Sequence, residues 1–208
     1  STFPFDLNSI SREHLNDVVI GTLLAGVRVP AATTTWLLLM IASNKTLRDK
    51  VYKEILDFSP NAVNPKQFSS LKSLHCALKE VLRLYPSTWL LSRETTQRIE
   101  LNSVTIPKGS TLYISPFVTH RDERFFDNPN DFLPQRWEQE LKNPAAYFPF
   151  GYGSSACIGA NFATVEIVAI TIALLRRFDI RLTDSTDLGL DPSASLTPKT
   201  PVVVFHAR

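Results

Sequence analysis

The sequence predicts a mainly α protein with small β-sheets (α+β), and three observations carry that expectation. Several long stretches place apolar residues at helical spacing. The β-type runs are only three or four residues long and are separated by turn residues. One segment, Trp36 to Ile41, is apolar on every side, which suits a helix at the centre of a protein. The 208 residues are 44% hydrophobic and 20% charged, enough apolar material for a sizeable core. No repeat, low-complexity tract or linker divides them, so the chain reads as one compact unit.

The first helix starts near Ser9 or Ser11, each placed to cap it, with Glu13 favourably near the positive end of the helix dipole. It runs through Leu15, Val18, Val19, Leu23 and Gly26 to the all-apolar segment. Pro30 lies inside this pattern, removes a backbone donor and crowds the preceding turn, so a kink or break is expected there. A second helix, capped by Ser43 or Asn44, points Leu47, Val51 and Ile55 inward and Arg48, Asp49, Lys50 and Lys53 outward. Residues 60–65 form a proline-bounded loop. A third helix from about Ser69 to Leu84 gathers Leu71, Leu74, Leu78, Val81 and Leu82 on one face, and Pro86 stops it. Short strands follow at residues 98–101, 104–106 and 111–114, divided by Asn102-Ser103 and Pro107-Lys108-Gly109 turns. Residues 121–147 carry aromatics and prolines without a period, an ordered meander. A glycine-punctuated loop, Phe148 to Gly159, leads into a helix from about Ala160 to Arg177. Residues 180–182 and 202–205 form one antiparallel pair.

Composition excludes several classes. Disordered chains are poor in apolar residues and rich in net charge, and this one carries 22 Lys+Arg against 20 Asp+Glu. Near balance gives no electrostatic footprint for nucleic acid or for a polybasic membrane surface. Two cysteines, Cys76 and Cys157, make no disulfide framework, and no ligand spacing suggests structural zinc. Residues 1–6 lack the basic region of a signal peptide. The longest apolar run, Trp36 to Ala42, is far short of the ~20 residues of a bilayer span, so no membrane span is expected.

The loop Phe148-Pro149-Phe150-Gly151-Tyr152-Gly153-Ser154-Ser155-Ala156-Cys157-Ile158-Gly159 carries the chemistry. It places a thiol at a helix N-terminus, where unpaired N–H groups and the dipole stabilise a thiolate. Gly151 and Gly153 permit positive φ and close approach of backbone to a flat ligand, Phe150 offers an aromatic face, and Gly159 leaves room at the helix start. A soft thiolate in such a loop suits iron, specifically haem held by one axial cysteine. The plain alternative is a small buried hydrophobe. A serine-hydrolase elbow fails, because Gly-x-Ser-x-Gly needs glycine where Cys157 stands.

The spacing Phe150-x-x-Gly153-x-x-x-Cys157-x-Gly159 resembles the haem-binding signature of the cytochrome P-450 family, the haem-thiolate monooxygenases. Three further segments resemble that family in its order. Ala77 to Pro86 is similar to its Glu-x-x-Arg helix, with Glu80 and Arg83; Phe132 to Trp137 is similar to the meander whose arginine, here Arg136, completes a triad with that pair; Leu24-Ala25-Gly26 with Trp36 is similar to the long helix over the distal haem face. The resemblance implies a cytochrome P-450 fold from the distal helix onward. Residues 1–208 would then be the C-terminal part of a single domain, with the N-terminal half absent. It implies haem b (iron protoporphyrin IX) with Cys157 as the metal ligand and Phe150, Gly151, Gly153, Gly159 and Arg93 around the cofactor, Arg93 reaching a propionate. Glu80, Arg83 and Arg136 would be scaffold residues; read without the resemblance, Glu80 and Arg83 are a solvated i,i+3 pair. The implied reaction inserts one oxygen atom from dioxygen into a small organic substrate, with electrons from a ferredoxin or an NAD(P)H-dependent reductase. Residues 90–92 and 195–197 would line the pocket. His120, in Thr119-His120-Arg121-Asp122, fits a family segment but is assigned no chemistry. The chain is read as soluble and cytoplasmic, with an anchor in an N-terminal half left open.

Two departures matter. Where the family places an acid and a threonine after the distal Ala-Gly, this chain has Arg28 and Val29, followed by Pro30; Thr33, one turn on, is the partial substitute, so Arg28 and Thr33 are the distal catalytic candidates. The arrangement resembles that of peroxide-using hydroxylases in the family, which keeps a peroxide-driven or rearranging haem enzyme as a rival reading. Ser155 stands where the signature usually has Arg or His, which removes one propionate contact. With the absent half, it motivates the other rival, a non-catalytic truncated remnant.

Overall fold

The computed structural model describes residues 11–58, 68, 70–193 and 195–208. Ser9, the loop at 60–65 and Ser69 lie outside them. The order is α1 (Arg12–Ser43), α2 (Lys45–Asp57), α3 (Lys72–Leu84), β1 (Leu91–Glu94), β2 (Ile99–Leu101), β3 (Val104–Ile106), β4 (Thr111–Ile114), α4 (Pro116–Thr119), a meander with short 3-10 turns, α5 (Ala160–Arg177), β5 (Phe178–Leu182), β6 (Asp187–Asp191), β7 (Thr197–Thr200) and β8 (Val203–Ala207). This is a mainly helical α+β chain. Its strands form antiparallel two-stranded ladders: β1 with β4, β2 with β3, β5 with β8 and β6 with β7.

Local signals account for the helix starts. Ser11 Oγ accepts the His14 amide at 3.1 Å and Asn44 Oδ1 accepts the Leu47 amide at 3.0 Å, each satisfying an orphan donor. Two expectations need correction. Pro30 does not break α1, which is continuous through it. Proline removes only the donor that would bond the Gly26 carbonyl, and past it Thr33, Thr34 and Thr35 donate their hydroxyls to the carbonyls of Val29, Pro30 and Ala31 at 3.1, 2.8 and 2.9 Å. Arg48 does not point outward; it is buried, and its guanidinium donates to the Ala42 carbonyl at 2.9 Å, tying α2 to the end of α1.

The C-terminal part of α1 (Trp36 to Ala42) meets α2, α3 and α5 in one apolar core with Val51, Ile55, Leu74, Leu78, Val168 and Leu175. Trp36 stacks on Tyr85 with ring centroids 3.8 Å apart and donates its indole N–H to the Leu196 carbonyl at 3.0 Å. The opposite end of α1 is different: Leu15, Val18, Val19, Ile20, Leu23, Leu24 and Val27 are all exposed. By length and composition α1 qualifies as a candidate bilayer span, contrary to the expectation from its longest unbroken run, because few charges interrupt its 32 residues. Its buried C-terminal half is core of this fold.

Beneath the core, the Glu80 carboxylate is fully buried and accepts five hydrogen bonds. Arg83 Nε and an Arg83 terminal nitrogen donate at 3.0 and 2.8 Å, Arg136 Nε at 3.0 Å, the Leu133 amide at 2.9 Å and the Trp137 indole at 2.8 Å. Arg83, also fully buried, donates onward to the carbonyls of His120, Pro129 and Asp131 at 2.7, 2.6 and 3.0 Å. Arg136 donates to the carbonyls of Asp127 and Asn128. An aperiodic meander thus obtains partners for backbone groups that no regular structure satisfies.

Glu80→Ala strands Arg83 and part of Arg136 without a counter-charge. It should destabilise the protein by about 3–5 kcal/mol in urea unfolding. A loss below ~0.5 kcal/mol, the value of a solvated i,i+3 pair, would contradict the buried network.

Candidate functional site

The Cys157 loop is built by its glycines and by two inward hydrogen bonds. Gly151 and Gly153 have φ of +76° and +71°, a region where side chains are strained. At Gly151 an added Cβ would also lie 3.6 Å from the Ser155 carbonyl. The Gly151 amide donates to the Phe148 carbonyl at 3.0 Å and the Cys157 amide to the Phe150 carbonyl at 2.8 Å, which closes the loop under the thiol. Phe150 is half-buried and packs on the main core. Gly159 begins α5, and a Cβ there would sit 3.9 Å from the Cys157 sulfur.

Cys157 is solvent-exposed, so it is no buried core filler. Around it the loop and α5 expose apolar side chains: Ile158 is fully accessible and Phe162 is 68% exposed. An outward thiol in an apolar, glycine-lined setting fits a flat apolar macrocycle carrying a soft-ligand iron. The other cysteine, Cys76, is half-buried on α3, and burial pushes its thiol pKa up, an unreactive setting.

The remaining candidates are distributed as follows. Glu80, Arg83 and Arg136 converge in one cluster. Arg93, on β1, has a guanidinium donating to its neighbour Ser92's carbonyl at 2.7 Å and no ion pair among the described residues. Arg28 is exposed on α1, likewise without an ion pair among the described residues. Thr33 is buried, and its hydroxyl is engaged by the Val29 carbonyl and by Ser87 Oγ at 2.9 Å. Leu91 and Ser92 lie in the β1–β4 ladder, whereas Ser195 and Leu196 are buried, Leu196 bonding Trp36 and Ser87.

Sequence reasoning missed the bridge between the Glu80 cluster and the loop. His120 is fully buried; its Nδ1 lies 3.1 Å from the Arg83 carbonyl and its Nε2 3.0 Å from the Phe148 amide. Tyr147, beside it, donates to the Lys79 carbonyl at 3.1 Å and packs between the His120 and Trp137 rings. Burial drives the His120 pKa down to about 4, with the Arg83 and Arg121 charges acting in the same direction against the bond to the Arg83 carbonyl.

A family profile described as Cytochrome P450 matches residues 5–205. Cytochrome P450 4V2 of Homo sapiens is 34% identical over 198 residues, covering 92% of this chain and 38% of the relative. Cytochrome P450 3A27 of Oncorhynchus mykiss is 32% identical over 188 residues, 86% of this chain and 36% of the relative. Cyclooctatin synthase of Streptomyces melanosporofaciens is 32% identical over 193 residues, 91% of this chain and 42% of the relative. The chain therefore spans about two fifths of the length of these curated relatives.

The His120 environment has a pH signature. Between its ordinary pKa of 6.5 and about 4, the unfolded chain takes up a proton that the folded chain does not. Its contribution is therefore complete above pH 6.5 and is lost on acidification to about pH 4, by up to about 3 kcal/mol. In urea unfolding across that range, the wild type should lose more stability than His120→Gln, which cannot titrate; equal losses would contradict the assignment.

Proposed function

The chain belongs to the cytochrome P450 family of haem monooxygenases, and from that premise we propose that the Cys157 thiolate would hold the iron of a haem b in an enzyme that oxygenates a small organic substrate. The observation that carries this reading is the exposed Cys157 thiol on a glycine-shaped loop with apolar neighbours. On this reading residues 1–208 form the C-terminal part of one domain.

When bound, the haem supplies dioxygen activation, and a thiolate ligand favours O–O cleavage by donating electron density. The chain's own residues do the rest. The Cys157 amide is committed to the Phe150 carbonyl, so the backbone at the ligand is fixed and the sulfur is left for the metal. Arg93 keeps a guanidinium available for a propionate, the bidentate partner that a carboxylate prefers. Ser155 offers no charge to a second propionate. Glu80, Arg83 and Arg136 act as scaffold and take no part in bond-making. Electrons come from a ferredoxin or an NAD(P)H-dependent reductase.

One observation favours a second reading. The Thr33 hydroxyl is held between the Val29 carbonyl and Ser87, and Val29 has no hydroxyl, so this stretch of α1 lacks a free proton-relay hydroxyl. Arg28 is exposed and placed to pair with a carboxylate. A substrate acid bound there would bring its own proton-transfer group, in place of the missing relay hydroxyl, for a reaction driven by peroxide.

In the haem-loaded full-length protein, Cys157→Ser should abolish thiolate-type haem spectra while leaving the far-ultraviolet circular dichroism largely intact. Unchanged haem spectra would place the ligand elsewhere. Turnover with hydrogen peroxide alone, compared with NAD(P)H and redox partners, separates the two readings. The first expects activity only with partners, and peroxide-only turnover selects the second.

A further inference from the structure

His120 is fully buried, and its ring bonds both the Arg83 end of the buried ionic cluster and the Phe148 amide that opens the loop. The Arg83 carbonyl belongs to the last turn of α3, where carbonyls have no partner within the helix. An acceptor there requires a donor, so Nδ1 carries the proton. The Phe148 N–H is a donor, so Nε2 must be bare and accept from it. The two contacts together admit one neutral tautomer and exclude both the other tautomer and the imidazolium. An apolar side chain there could still contact Phe126, Tyr147 and Phe148 but would leave both backbone groups unpaired in the interior.

From Phe148 the connection continues toward the ligand position. The Phe148 carbonyl accepts from the Gly151 amide, and the Phe150 carbonyl from the Cys157 amide. We infer that His120 is a positioning residue, a strap that in one fixed tautomer holds the Cys157 loop to the Arg83 end of α3 and so sets where the sulfur stands. Its bearing on the metal rests on the proposal that Cys157 is the haem ligand; the strap itself does not.

Two measurements on the haem-loaded full-length protein test this. In the diamagnetic ferrous carbonyl form at neutral pH, imidazole 15N shifts of the wild type should show His120 protonated on Nδ1 and bare on Nε2. The opposite tautomer, or an imidazolium, overturns the inference and needs no variant. The second compares His120→Asn, which keeps a donor near the Nδ1 position but cannot reach Phe148, with His120→Gln, whose amide oxygen reaches the Nε2 position. Hydrogen exchange over residues 148–157 should rise about tenfold or more in the Asn variant and stay near wild type in the Gln variant. The share of thiol-ligated over thiolate-ligated carbonyl complex should rise in the Asn variant alone. Equal behaviour of the two variants overturns the strap. A wild type without thiolate spectra would refute the ligand proposal, while exchange and tautomer would still decide the strap.

Discussion

A single buried anion organises the lower half of this molecule. The Glu80 carboxylate lies fully inside the fold, where an uncompensated charge costs several kcal/mol, and it is tolerated because five donors converge on it. Those donors come from α3 and from the meander more than fifty residues away. The anion therefore dictates where an aperiodic segment lies, a task that apolar packing without a repeating pattern does poorly. A buried ion pair is weak evidence for net stability, since its Coulombic gain is offset by desolvation. Its contribution here is geometric: with Glu80 satisfied, Arg83 can bind three meander and loop carbonyls, and the Arg83 carbonyl can take His120.

The same fold presents two faces of opposite character. One is the polar network under α3, closed and buried. The other character is apolar and exposed, and it occurs at two places: the first turns of α1, and Ile158 with Phe162 around the Cys157 loop. A fully hydrogen-bonded polar base combined with exposed apolar side chains around the thiol fits the proposed cofactor, a flat and largely apolar macrocycle. If Cys157 holds the metal as proposed, the position of its sulfur rests on that base through the His120 contacts to the Arg83 carbonyl and the Phe148 amide.

Much of this was legible in the sequence, and the parts that were not have physical reasons. The bounds of α5 follow from Gly159 and from the loss of apolar periodicity after Arg177, and the Asn44 cap and the β5–β8 pair were equally readable. Strands β1, β6 and β7 were missed. Leu91–Glu94 and Asp187–Asp191 carry little β-branched character, and Thr197–Thr200 contains Pro198, a residue that argues against strand. Arg48 reads as surface because a charge normally is; only the proximity of the Ala42 carbonyl, a tertiary fact, reverses that. The positive φ of Gly151 and Gly153 was readable from residue type. His120 was not, because its partners lie 37 and 28 residues away and no spacing rule links them.

The most direct test of the account is X-ray absorption at the iron edge of the haem-loaded full-length protein. The account predicts one sulfur scatterer at bonding distance from iron, contributed by Cys157. An iron surrounded only by nitrogen and oxygen neighbours would contradict it.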